Sequence, residues 1–307
     1  MNARNARFTG VIPPVVTPLT AAGELDVPSL ERLVGFLIEG GVSALFALGS
    51  SSEVAYLTEA QRGRVLEVVV GAAAGQVPVI AGCIETTTDR VIERARISHR
   101  LGADAVVATA PFYTRTHPVE IDRHFRLIAK AVELPLFAYD VPVCVHSKLD
   151  PGMVLSLAAD GVLTGLKDSS GDDVGFRRLA LGLADLPGFS LLTGHEIVVD
   201  GALLSGADGA VPGLANVDPH GYVRLYDLAK EGRWAEAKTE QDRLARLFEM
   251  AFQARDTSGT AAGLGSFKTA LALRGIISSN VMSPPMAPLG EVETAAIAEL
   301  LVEAGLR

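Results

Sequence analysis

The chain has 307 residues, 49% hydrophobic and 21% charged, which is long enough to bury a substantial core and too apolar for a disordered chain. Its 27 basic and 36 acidic side chains give a formal charge of -9 with no compensating Lys/Arg-rich run, which argues against nucleic acid and anionic membrane as partners. Two cysteines, Cys83 and Cys144, have no zinc-motif spacing and make no disulfide framework, and no stretch approaches the roughly 20 apolar residues of a membrane span.

Met1 to Thr9 carries Arg4 and Arg7 with no apolar region behind them, so no secretory signal is read and a cytoplasmic protein is expected. Short β-rich runs then recur at Val11 to Val16, Ala44 to Leu48, Pro78 to Ala81, Ala105 to Ala108, Leu136 to Tyr139, Val162 to Leu166, Ser190 to Thr193 and Gly209 to Val211. A helical pattern follows each. After the first, Val27, Leu30, Leu33, Val34, Leu37 and Ile38 fall at spacings of three and four and keep one stripe apolar. Thr58-Glu59-Ala60-Gln61 reads as a capping box, and Asp218-Pro219 as a cap with proline in the first turn. Gly41, Gly102 and Gly206, each shortly before a strand, read as helix terminators. Strand then helix, eight times over, predicts an α/β fold, a (β/α)8 TIM barrel, over residues 1–231. Beyond Gly232 the strands stop, and Trp234 to Phe252, Phe267 to Arg274 and Val292 to Ala304 predict a C-terminal helical extension over residues 232–307. A doubly wound sheet is the alternative, but no Gly-x-Gly-x-x-Gly follows the first strand.

Chemistry in such a barrel gathers at the C-terminal strand ends. The second strand leads into Gly49-Ser50-Ser51-Ser52-Glu53, whose hydroxyls and amides can cradle a carboxylate or simply cap a helix. The fourth leads into Pro111-Phe112-Tyr113 and the fifth ends in Tyr139-Asp140-Val141-Pro142; either tyrosine is a half-buried packing residue or a proton shuttle with a polarising neighbour. The sixth places Lys167 at the end of an apolar run, one strand along from Tyr139. A strand-end lysine commonly reaches solvent or pairs with a carboxylate such as Asp168; desolvated, it favours the neutral amine that attacks a ketone carbon. Gly194, His195 and Glu196 after the seventh strand, and Val211 with the loop after the eighth, would face the distal part of a ligand. His99, His117, His124, His146, His195 and His220 form no close pair of ligand spacing, so no metal is expected.

In order and spacing, Gly49-Ser50-Ser51-Ser52-Glu53, Pro111-Phe112-Tyr113, Tyr139-Asp140-Val141-Pro142, Gly165-Leu166-Lys167-Asp168 with Ser170-Gly171-Asp172, and Gly206-Ala207-Asp208-Gly209 resemble the dihydrodipicolinate synthase and N-acetylneuraminate lyase superfamily. The resemblance covers essentially the whole chain. It implies a class I pyruvate-dependent aldolase or lyase without cofactor, in which Lys167 forms a Schiff base with a 2-oxo acid and Tyr139 shuttles protons. It further implies that Ser50 and Ser51 hold the oxo-acid carboxylate, and that Tyr113 reaches a neighbouring active site across a dimer interface, in a homotetramer built as a dimer of dimers.

Cys144 stands two residues beyond Pro142, where dihydrodipicolinate synthases place an arginine for their second substrate's carboxylate. An uncharged thiol cannot replace a guanidinium fork, so lysine biosynthesis is disfavoured and Cys144 becomes a candidate substrate contact. Ser52 for the usual glycine is expected to tighten the pocket or alter the turn, and Asp140 for asparagine is a milder change. Pro284-Pro285-Met286-Ala287-Pro288-Leu289 resembles the ending of 2-keto-3-deoxygluconate aldolase-like members, and with it goes an expected lyase acting on a 2-oxo-3-deoxy sugar acid. A 2-oxo acid dehydratase, a phosphate-binding barrel enzyme and a binding barrel without turnover are the alternatives.

Overall fold

The computed structural model describes residues 8–307; Arg4 and Arg7 of the N-terminal reading lie outside them. Strands β1 (Gly10–Val11), β2 (Leu45–Ala47), β3 (Val79–Gly82), β4 (Ala105–Thr109), β5 (Leu136–Asp140), β6 (Gly165–Asp168), β7 (Ser190–Thr193) and β8 (Gly209–Ala210) pair in parallel in the order β1-β8-β7-β6-β5-β4-β3-β2. The ring closes between its first and last members. Val15 N–H donates to the Phe46 carbonyl at 2.9 Å and Phe46 N–H to the Pro13 carbonyl at 3.0 Å, flanking a parallel bridge from Pro14 to Phe46. These prolines explain why β1 is shorter than the predicted Val11 to Val16. Pro13 and Pro14 lack the N–H a ladder requires, so pairing is reduced to isolated contacts.

Helices α1 (Val27–Glu39), α2 (Glu59–Ala73), α3 (Thr88–Arg100), α4 (Pro118–Ala131), α5 (Pro142–Val145), α6 (Pro151–Ala159), α7 (Asp173–Leu183), α8 (Val199–Leu204) and α9 (Pro219–Lys230) lie between and after the strands. Their starts follow local chemistry. Asp26 caps α1 by accepting the Ser29 N–H at 3.2 Å, and Leu30, Leu33, Val34 and Leu37 form its buried stripe. Such a cap is worth about 0.5–2 kcal/mol, while the burial of that stripe decides which face turns inward. The Thr58 capping box is present, and Asp218 caps α9 through the Gly221 N–H at 2.9 Å. Gly41, Gly102 and Gly206 all take positive φ at their helix ends, as their positions predict.

The C-terminal portion is helical: α10 (Trp234–Phe248), a 3-10 turn at Glu249–Phe252, α11 (Gly259–Leu273) and α12 (Glu291–Glu303). Helix α11 begins well before the predicted Phe267. Gly259, Gly263 and Gly265 dilute its apolar pattern, yet Ser258 caps it through the Ala261 N–H at 3.1 Å. Gly265 lets the helix approach Leu289, whose Cγ would lie 3.1 Å from a Cβ at that position. No helix among the described residues is long and apolar enough to cross a membrane.

Candidate active site

Register assembles the site. Tyr139 on β5 pairs with Lys167 on β6, and Thr109 on β4 pairs with Tyr139, so the three side chains share the inner face of neighbouring strands. Lys167 lies inside β6, not beyond it, because the ladder runs on to Asp168. Its Nζ stands 4.1 Å from the centre of the Tyr139 ring and 5.0 Å from that of Phe46. Lys167 is 6% exposed and Tyr139 5%. Among the described residues no ion pair joins Lys167 to a carboxylate, and Asp168, the expected partner, accepts the Ser170 N–H at 2.7 Å instead. The amine is therefore enclosed by the faces of Tyr139 and Phe46, with no carboxylate in ion-pair contact among the described residues.

Gly194 is required beside it. A Cβ there would stand 3.2 Å from Lys167 Cε and 2.0 Å from Ser169 Oγ, so a side chain would collide with the lysine stem and the adjoining turn. Glu196 takes the opposite wall. Its Oε2 accepts the Leu214 N–H at 2.5 Å, and burial pushes its pKa up to about 7, with the Leu214 and Gly213 amides and the Lys167 charge opposing the rise. Its backbone is held as firmly. Tyr222 Oη donates to the Glu196 carbonyl at 3.0 Å, and Gln241 Nε2 does so at 3.1 Å. Between Glu196 and the serine loop lies Gly213, where a Cβ would be 3.1 Å from Glu196 Oε1 and 3.4 Å from Ser51 Oγ. Val211, buried at the end of β8, donates its N–H to the Thr193 carbonyl at 2.7 Å and closes this side.

Ser50, Ser51 and Ser52 form a 3-10 turn after β2. The N–H groups of Ser52 and Glu53 are taken by Gly49 and Ser50, whereas those of Ser50 and Ser51 have no backbone acceptor among the described residues. Ser52 does not enter the pocket, contrary to one of the two expectations for it. Its side chain is fully buried, and Oγ donates to the Val15 carbonyl at 2.5 Å, fastening the turn to the segment that follows β1. Asp140 turns outward as well. Its carboxylate is bound by Lys148 and by the Leu149 N–H at 3.1 Å, and burial raises its pKa against those contacts.

Cys144, in α5, is open to solvent, with enough protein around its sulfur to raise the thiol pKa while the Lys167 charge opposes the shift. Tyr113 is not brought to Lys167 by any ring contact or hydrogen bond within the described residues. It is 91% exposed, at φ 77. A tyrosine in the left-handed region costs of order 1–3 kcal/mol, a strain typical of functional loops.

Sequence reasoning passed over Phe46, which faces the lysine, and Thr109, whose buried Oγ1 has no hydrogen-bond partner among the described residues. It also passed over Glu53 as a structural anchor and Lys268, its ion-pair partner. For Lys268 a signal existed, since it is the single charged residue of α11.

The whole chain agrees with this site. Residues 7–304 match the model of the dihydrodipicolinate synthetase family. A 4-hydroxy-tetrahydrodipicolinate synthase of Phenylobacterium zucineum is 33% identical over 301 residues, covering 97% of this chain and 98% of that protein. The probable 2-dehydro-3-deoxy-D-pentonate aldolase YjhH of Escherichia coli is 33% identical over 244 residues, covering 78% of this chain and 81% of its own. Among solved structures, YagE of E. coli, a prophage protein of the dihydrodipicolinic acid synthase family in complex with pyruvate, superposes with TM-score 0.92 at 30% identity, covering 98% of this chain and 100% of that one. With an eight-stranded parallel barrel and an inward lysine on the sixth strand, the chain belongs to the dihydrodipicolinate synthetase family, the class I pyruvate-dependent lyases.

Proposed function

We infer that this enzyme cleaves a 2-oxo-3-deoxy sugar acid to pyruvate and an aldehyde through a Schiff base on Lys167. The observation that carries the reading is the buried Lys167 amine, 4.1 Å from the Tyr139 ring centre and held by no carboxylate among the described residues. The Lys167 amine attacks C2 of the oxo acid, the carbonyl oxygen leaves as water, and the protonated imine becomes an electron sink. As the C3–C4 bond breaks, its electron pair moves into the enamine and the C4 hydroxyl proton is removed to give the aldehyde. Protonation of the enamine and hydrolysis of the imine release pyruvate and restore the lysine. Tyr139 carries these protons, and Ser50 and Ser51 hold the carboxylate. Lys167 itself supplies the covalent chemistry, so the proposed cycle needs no metal or organic cofactor.

Two observations favour a sugar acid over a second substrate with its own carboxylate. Cys144 offers no positive charge, and Lys148, further along the same segment, is bound by Asp140. Glu196 and the Gly194 and Val211 walls suit a polyol chain, since a carboxyl group can both donate to and accept from hydroxyls. Tyr113, exposed on a strained backbone, supports the reading that it completes the site of a neighbouring subunit in a tetramer.

Incubation with pyruvate and borohydride, followed by peptide mapping, is expected to place a reduced pyruvyl adduct on Lys167 and none on Lys167→Ala. A folded protein without that adduct would overturn the imine mechanism. Pyruvate release from a panel of 2-oxo-3-deoxy acids then tests the substrate class, and failure across sugar acids of different length would remove it.

A further inference from the structure

The serine turn is held from outside the barrel. Glu53 ends it in the left-handed region, at φ 60 and ψ 28, and its side chain points into the protein, 1% exposed. Oε2 accepts the Ser283 N–H at 2.7 Å, and Oε1 is met by Nζ of Lys268 on α11. Lys268 is itself 0% exposed and donates to the Val281 carbonyl at 2.7 Å. The neighbouring residue, Phe267, presses the same region, its Cε2 lying 2.8 Å from where a Gly213 Cβ would be. One carboxylate thus joins the turn that carries Ser50 and Ser51 to helix α11 and to the segment at residues 281–283.

We propose that Lys268 is a positioning residue for binding of the 2-oxo acid carboxylate, acting through Glu53 on the turn that carries Ser50 and Ser51. This rests on the reading of that turn as the carboxylate cradle. The geometry gives the lysine two tasks. Glu53 is followed by no glycine and sits in a conformation a side chain rarely adopts, so the turn keeps its shape only while something outside it holds the carboxylate. A buried anion directly behind an anion-binding turn also repels the incoming carboxylate unless a cation neutralises it, because buried charges are weakly screened. Lys268 does both. Burial drives its pKa down, and the Glu53 charge opposes that fall.

The test is the pyruvate dependence of borohydride trapping on Lys167, read as half-saturating concentration and as rate at saturation. Lys268→Met is expected to raise the half-saturating pyruvate about tenfold or more, the effect of losing one charge-assisted hydrogen bond, with a smaller change in the saturated rate. Lys268→Met strands a buried carboxylate and can unfold the chain. Glu53→Leu with Lys268→Met supplies an apolar pair that buried ion-pair physics expects to be tolerated, while freeing the turn from both anchors. That double variant should melt near the parent and still show the raised half-saturation. Parent-like half-saturation in either folded variant, or a loss confined to the saturated rate, overturns the positioning role. A parent protein that forms no adduct overturns the Schiff-base reading instead, and the inference with it.

Discussion

Lys167 and Tyr139 stand together because neighbouring parallel strands place their paired residues on one face. Tyr139→Phe keeps the ring that covers the lysine and removes the hydroxyl, so trapping should persist while turnover falls by roughly 10²-fold or more. Unchanged single-turnover rates would take Tyr139 out of proton transfer. Glu196 makes a different prediction. With its pKa near 7, it loses its proton across neutral pH. A substrate hydroxyl donating to the carboxylate should then bind more tightly as pH rises through 7, giving an inflection in KM for the sugar acid. Glu196→Gln should abolish the inflection, and a parent KM with no inflection near pH 7 would take Glu196 out of hydroxyl binding. Thr109 is the residue at this scale that sequence reading could not place: its type is ordinary for a strand, and only the register turns its hydroxyl into the barrel.

At the scale of elements, the loops after β2, β6, β7 and β8 meet closely at particular glycines. Gly194 shows this most clearly, because a single methyl would meet both Lys167 Cε and Ser169 Oγ. Gly194→Ala should therefore leave the barrel folded, with far-ultraviolet circular dichroism unchanged, while the rate of pyruvyl adduct formation drops at least about tenfold as the lysine is displaced. A parent-like rate would mean that the Ser169 turn yields at no cost to the amine. Glycine was legible in the sequence as a loop residue after strand seven. Its steric reason was not, since the atoms it avoids come from a strand that lies elsewhere in the chain. The capping box at Thr58 and the cap at Asp218 were legible, because each depends on residues within one turn.

Over the whole molecule, buried titratable groups set the pH range of stability. His124, 1% exposed, shares a hydrogen bond with Thr88 at 2.9 Å and lies 3.2 Å from the Thr109 carbonyl. Burial lowers its pKa to about 4. Between the unfolded value of about 6.5 and the folded value, the unfolded chain binds a proton that the folded one refuses. Stability should thus fall as pH drops from 6.5 toward 4, by roughly 3 kcal/mol from this group. Denaturant melts at pH 7 and pH 4.5 should differ less in His124→Asn than in the parent; equal differences would show that His124 is not the group responsible. The C-terminal helices belong to the same economy of contacts: Lys268 reaches the serine turn, and Gln241 on α10 holds both Glu196 and the Val199 N–H.

The alternation of apolar runs with helical stripes was enough to determine a (β/α)8 barrel, because hydrophobic period and local caps act over a few residues. The spacing of Ser50, Tyr113, Tyr139 and Lys167 was enough to bring the family resemblance and its lysine into view. Tertiary structure alone decided that Ser52 fastens the turn instead of lining the pocket, that Asp140 binds Lys148, and that α11 starts at Gly259. It alone joined Glu53 to Lys268, two residues far apart in the chain. For the side-chain contacts the physical reason is the same. A side chain's direction follows from its backbone, but its partner follows from where distant segments come to rest, and no local pattern carries that distance.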